Sequence, residues 1–139
     1  MPAWLPYALL SAFFAALTAI FAKIGVKDVD SDLATAIRTV VILLLAWGIA
    51  LARGAVAGLP ALSGRTWLFL VLSGLATGAS WLCYFRALKL GPVSHVAPVD
   101  KLSVALAIVL AALLLGEPLT WRGALGAGLI VLGSVVLIR

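Results

Sequence analysis

Residues 96–118, VAPVDKLSVALAIVLAALLLGEP, form an apolar run long enough to cross a bilayer, with one acid and one base, Asp100 and Lys101, set near its start. A hydrocarbon core of about 30 Å is crossed by about 20 helical residues at 1.5 Å each. The run therefore reads as a transmembrane helix rather than a buried core helix. The rest of the chain agrees. Of its 139 residues 65% are hydrophobic and only 11% charged, and its mean hydropathy is +1.24. Soluble domains carry about 25% charged residues, and a globule of this size has no interior able to hide so much apolar surface. The chain is an integral membrane protein whose apolar surface is covered by lipid.

Working outward from that stretch, the sequence divides into five spans, at about residues 4–24, 33–52, 67–90, 94–116 and 120–138. Each must be helical, because an open strand leaves backbone groups without partners in lipid. The predicted fold is all-α, a polytopic five-helix bundle forming a single domain over residues 1–139. The breaks carry turn chemistry. KDVDSD offers Ser31 or Asp32 as an N-cap, RGAVAGLPALSGRT holds Gly, Pro and two Arg, and Gly91-Pro92 precedes Ser94, a further candidate cap. Pro98 then falls near the first turn of the fourth span, where a missing N–H does little harm. GEPLT makes the last turn, with Thr120 as cap. The N-terminal stretch lacks a basic n-region and a small-residue cleavage site, so it reads as a retained span rather than a cleaved signal.

Several function classes are excluded. The net charge of +5 comes from Lys and Arg spread singly, without the basic runs and interleaved aromatics of a nucleic-acid surface. Cys83 and His95 are each the only residue of their kind, which leaves no internal disulfide and no metal-ligand spacing. No Ser-His-Asp set, phosphate loop or spaced carboxylate pair is present, so the chain is not expected to be an enzyme, and it calls for no cofactor.

Tryptophans mark three span borders, at Trp4, Trp67 and Trp121, as an aromatic belt would. Trp81 lies mid-span beside Tyr84 and Phe85, and either faces lipid or lines a binding surface. Small residues recur at four-residue spacing: Gly74 with Gly78, Gly123 with Ala127 and Ala124 with Gly128, with Gly126 among them. Such spacing lets helix backbones approach closely, either within one chain or along a dimer seam.

With five spans, the loops after the first and third share one face of the membrane. Near that face fall Lys23, Arg38, Arg86, Lys89, Asp100 and Lys101. A charged group deep in a membrane helix costs about 2.5–3.5 kcal/mol on insertion scales, so it faces a partner or a wet cavity. Arg38 and Asp100 can form a neutral structural pair while Lys23 and Lys101 snorkel. Yet the bases Lys23, Arg38, Arg86 and Lys101 outnumber the one acid, and the excess positive charge suits an anionic or zwitterionic ligand.

The stretch YFRALKLGPVSHVAPVDKLSVALAIVLAALLLGEPLTWRGALGAGLIVLGSVVLI resembles the second part of an EamA domain, the repeat unit of the drug/metabolite transporter superfamily. FAKIGVKDVDSDLATAIRT is similar to its first two spans. The resemblance covers essentially the whole chain and rests on the aromatic-x-x-Ala-Leu-x-x-Gly-Pro and Leu-Gly-Glu-x-Leu-Thr elements together. It implies a multi-pass protein of a cell membrane, here a bacterial inner membrane, that moves a small metabolite or drug-like solute by alternating access. Family members typically join two such repeats in inverted orientation. This chain holds one, which implies a half-transporter working as an antiparallel homodimer or with a second EamA-type subunit.

The positive-inside balance is compatible with either arrangement. Lys23, Lys27, Arg86, Lys89 and Arg139 lie on one face against Arg53, Arg65 and Arg122 on the other, a small bias that permits insertion both ways. On this reading Asp100 and Lys101 form the substrate and coupling machinery with Arg38 as partner and Lys23 and Arg86 nearby, and Trp81, Tyr84 and Phe21 line the path. A lipid-carrier flippase, with the basic cluster holding a phosphate headgroup, and a non-transporting scaffold subunit are the rival readings.

Overall fold

The computed structural model describes residues 2–138; Arg139, counted above with one basic face, lies outside them. The described residues form six α-helices and one 3-10 helix, with no strand: α1 (Leu5–Gly25), α2 (Ser31–Ala52), the 3-10 helix (Ala55–Ala61), α3 (Gly64–Leu90), α4 (Val93–Asp100), α5 (Leu102–Leu114) and α6 (Trp121–Ile138). Five stretches are long and apolar enough to cross a membrane, the fourth being α4 and α5 taken together. The chain divides into two compact units, one made of the chain up to Phe21 with Leu90 onward, the other of Ala22–Lys89.

In the Ala22–Lys89 unit the buried side chains are Ala22, Val26, Ser31, Thr35, Phe85 and Leu88, drawn from the end of α1, the start of α2 and the end of α3. Hydrogen bonds tie these ends to one another. The Lys23 ammonium donates to the Leu88 carbonyl in the last turn of α3, and the Lys89 ammonium donates to the Val29 carbonyl at 2.7 Å. A cation at the C-terminal end of a helix also meets the negative end of its dipole. The first cap differs from the expectation. Asp30, rather than Ser31 or Asp32, precedes the helix, and its carboxylate accepts the N–H of Asp32 at 2.9 Å and of Leu33 at 3.1 Å. Those two N–H groups, Leu33 first, hold the Asp30 carboxyl below the usual carboxylate range. Thr35 and Thr39 return their hydroxyls to the carbonyls four residues back, so neither presents an unmade bond to lipid.

Gly54, at φ +66°, ends α2 in the left-handed region that a side chain disfavours. The expected loop between spans two and three is instead the 3-10 helix, which packs on α2 with Ala46, Trp47 and Ala50 facing Ala55, Val56 and Leu59. Trp47 lines the hollow between α2 and the 3-10 helix. α3 then begins three residues earlier than expected, because Ser63 caps it by accepting the Thr66 N–H at 3.1 Å.

In the other unit α6 packs on both α4 and α5. Pro92, which offers no side-chain cap, precedes α4 in place of the expected Ser94. Thr120 acts as expected, its hydroxyl accepting the Gly123 N–H at 3.1 Å; a Cβ at Gly123 would sit 3.2 Å from that hydroxyl, so glycine keeps the cap unobstructed. Gly116, expected inside span four, takes φ +69° and turns the chain so that the Glu117 N–H reaches the Ala111 carbonyl at 3.3 Å, which stops α5 short of it. Most large apolar side chains, Leu44, Leu113, Leu114 and Val136 among them, stay exposed in the isolated chain. That is the pattern of a protein whose outer solvent is lipid.

Candidate functional site

Span four is not one continuous helix. α4 ends at Asp100, α5 begins at Leu102, and Lys101 between them has φ −71° and ψ −9°. The cause lies one turn earlier. With α4 starting at Val93, Pro98 stands in its second turn rather than in the harmless first one, has no N–H for the Ser94 carbonyl, and crowds that carbonyl with its ring. The turn tightens in response. The Lys101 N–H is shared between the Ala97 carbonyl at 3.3 Å and the Pro98 carbonyl at 3.1 Å, and the Val104 N–H reaches back three residues to the Lys101 carbonyl at 3.0 Å.

The break is braced from α6. Ser134, one of the few buried polar residues, places its hydroxyl 2.9 Å from the Pro98 carbonyl and 2.8 Å from the Ile130 carbonyl. A hydroxyl has one proton to give, so Ser134 serves one of these acceptors at a time or divides a weaker bond between them. At the break itself the Lys101 ammonium and the Asp100 carboxylate form an ion pair at 3.2 Å, each side chain still partly exposed. The interruption thus sets a carboxylate with its counter-charge beside backbone carbonyls withdrawn from the regular ladder, within a membrane-length segment.

Arg38 lies in the other unit, within an unbroken α2. Its guanidinium carbon sits 4.3 Å from the Trp81 ring centroid and 5.3 Å from that of Phe85. The rings share a face of α3 because they are four residues apart. Tyr84 meets Phe85 edge to face, with centroids 6.5 Å apart. The structure thus brings Arg38, Trp81 and Tyr84 to one aromatic cluster around Phe85, which sequence reasoning had not placed in the site; the four-residue spacing from Trp81 was the available signal. Asp100 and Lys101 have each other as local partners, while Arg38 rests on rings. Arg38 and Asp100 each follow the first residue of their own helix by seven positions, about 10 Å along the axis. Lys23 is engaged at the end of α3, and Arg86 and Phe21 are exposed. Cβ atoms built at Gly74, Gly78, Gly126 and Gly128 meet nothing within 4 Å, so these glycines relieve no close approach within the chain.

Five membrane-length apolar segments with ionisable groups carried within them define a multi-pass membrane protein. Comparison with known proteins gives the family. The EamA-like transporter family matches residues 2–139, and the chain is 55% identical over 134 residues to a protein of a Sinorhizobium species described as an uncharacterized transporter in the cobO 3' region, covering 96% of this chain and 95% of that protein. The chain belongs to the EamA-like transporter family. No solved structure matches it. Membership points to transport rather than to catalysis.

Proposed function

We propose that the chain is one half of a secondary transporter that moves a small metabolite or drug-like solute by alternating access as an antiparallel homodimer in a bacterial inner membrane. The observation that carries this reading is the break of span four at Asp100 and Lys101. Secondary transporters place discontinuous helices at their solute and coupling-ion sites, and alternating access needs an element that can change its local geometry at low cost. Asp100 exchanges the proton or pairs with substrate, Lys101 supplies the counter-charge, and Arg38 on Trp81 contributes the positive surplus that selects an anionic or zwitterionic solute. Trp81, Tyr84 and Phe21 line the path, with Lys23 and Arg86 adding to the positive field. The open small-residue faces along Gly74 and Gly78 and along Gly126 and Gly128 support two copies as the working form.

Orientation tests the assembly. In a Cys83→Ser background, a single cysteine at Ala3 or at Arg139 is exposed in intact cells to a membrane-impermeant maleimide. Half labelling at both positions is the expected result. Full labelling at one and none at the other means a single orientation, which contradicts the antiparallel homodimer.

A further inference from the structure

The Ala22–Lys89 unit carries a charged feature of its own. A cavity of about 540 Å³ in the Ala22–Lys89 unit is lined by Lys23, Ile24, Val26, Lys27 and Lys89. Three lysines and two aliphatic residues line it, with no acid among them. Two of the lysines are fixed in place by backbone carbonyls, Lys23 by Leu88 and Lys89 by Val29. The Lys89 ammonium has three protons to give, so its bond to the Val29 carbonyl leaves further donors, while Lys23 contributes its charge. Lys27 is exposed, and Ile24 is 70% exposed beside it.

Acids are close by, and their commitments matter. Asp28, Asp30 and Asp32 follow Lys27 in the chain, and Lys89 and Arg86 lie near enough to act on Asp30. Asp30 is engaged with the N–H groups of Asp32 and Leu33, and Asp32 accepts from the Ser31 hydroxyl at 3.4 Å. Both stand at the positive end of α2, where the helix dipole favours their charge. The cavity itself is lined by lysines and by no acid, at the ends of α1 and α3. Cations beside exposed aliphatic side chains match an amphiphile with an anionic phosphate head and an apolar body.

We infer that the Lys23, Lys27 and Lys89 cavity is a binding site for the phosphate headgroup of an anionic phospholipid, with Ile24 and Val26 against its glycerol and acyl region. Its residues include neither Asp100 nor Lys101, so the site stands whether or not the break carries solute. Native mass spectrometry of the full chain, released from nanodiscs of equimolar phosphatidylethanolamine and phosphatidylglycerol, tests it. The wild type retains phosphatidylglycerol in preference. Lys27→Gln, which leaves both carbonyl-tied lysines untouched, lowers that occupancy about five-fold, and Lys27→Gln with Lys89→Gln lowers it about 25-fold. Arg122→Gln, the same loss of charge outside the cavity, leaves it unchanged.

No preference for phosphatidylglycerol in the wild type, or an equal loss in Arg122→Gln and Lys27→Gln, overturns the proposal. Should Lys89→Gln fail to fold, Lys27→Gln and a salt titration of the wild type decide, since retention must fall as ionic strength rises. Displacement of the lipid by inorganic phosphate, at an ionic strength where chloride displaces none, assigns the lysines to free phosphate and overturns the lipid identity.

Discussion

Spans two and four each carry a charge into the membrane, and they accommodate it differently. α2 runs unbroken past Arg38, whose guanidinium is spread over the faces of Trp81 and Phe85. Span four is interrupted where its charges fall, and Asp100 is paired with its neighbour Lys101. A delocalised cation is stabilised by ring quadrupoles on another helix and asks nothing of its own backbone. A carboxylate gains nothing from a ring face and needs donors. Continuous helix with an aromatic bed makes a fixed charge; a tightened turn with an ion pair makes one whose surroundings can be rearranged. One span thus holds its charge on an uninterrupted helix and the other at a break in its backbone.

The sharpest way to break this contrast is to repair span four. Pro98→Ala restores the N–H that the Ser94 carbonyl lacks and removes the ring, and proline inside a helix costs about 3 kcal/mol. The variant is expected to slow backbone hydrogen exchange over residues 97–104 to the rate seen over residues 35–42 of α2, and to raise thermal stability in detergent. Unchanged exchange means that Pro98 does not cause the break. A smaller effect is expected on the uninterrupted side. Trp81→Leu keeps an apolar side chain but removes the ring beneath Arg38, a loss of about 1–2 kcal/mol; unfolding in denaturant is expected earlier, with exchange across residues 97–104 unaltered. Coupled changes in both regions would remove the distinction between them. The smallest change is Ser134→Ala, which deletes one hydroxyl bond of about 1 kcal/mol while the Pro98 carbonyl keeps the Lys101 N–H. Exchange is expected to rise at residues 97–104 and to stay constant in α2.

Much of this was readable from the chain. The five spans, the Gly91-Pro92 turn and the Thr120 cap follow from apolar length and turn chemistry, and these dominate because lipid forbids any other backbone arrangement. The rest turned on choices that local sequence leaves degenerate. Asp30, Ser31 and Asp32 are all competent caps, and only the position of the first helical turn decides among them. The break in span four depends on a similarly small shift of boundary. With the helix starting at Val93, Pro98 moves from a tolerated turn into one where it costs a hydrogen bond. Ser134 in an apolar helix gives no sign of a partner 36 residues away, and Phe85 has no polar group to single it out beside the more conspicuous Trp81 and Tyr84. Side-chain partners between distant helices are set by packing, which periodicity does not encode.

The central claim, that the broken span carries transport, is tested most directly by comparing the solutes inside and outside cells producing the wild type and the Asp100→Asn variant. Both proteins must first be shown to insert at equal levels. The account predicts that solutes whose distribution changes in the presence of the wild type return to the background of cells lacking the protein when Asp100 is replaced. A distribution in Asp100→Asn equal to that of the wild type would contradict it.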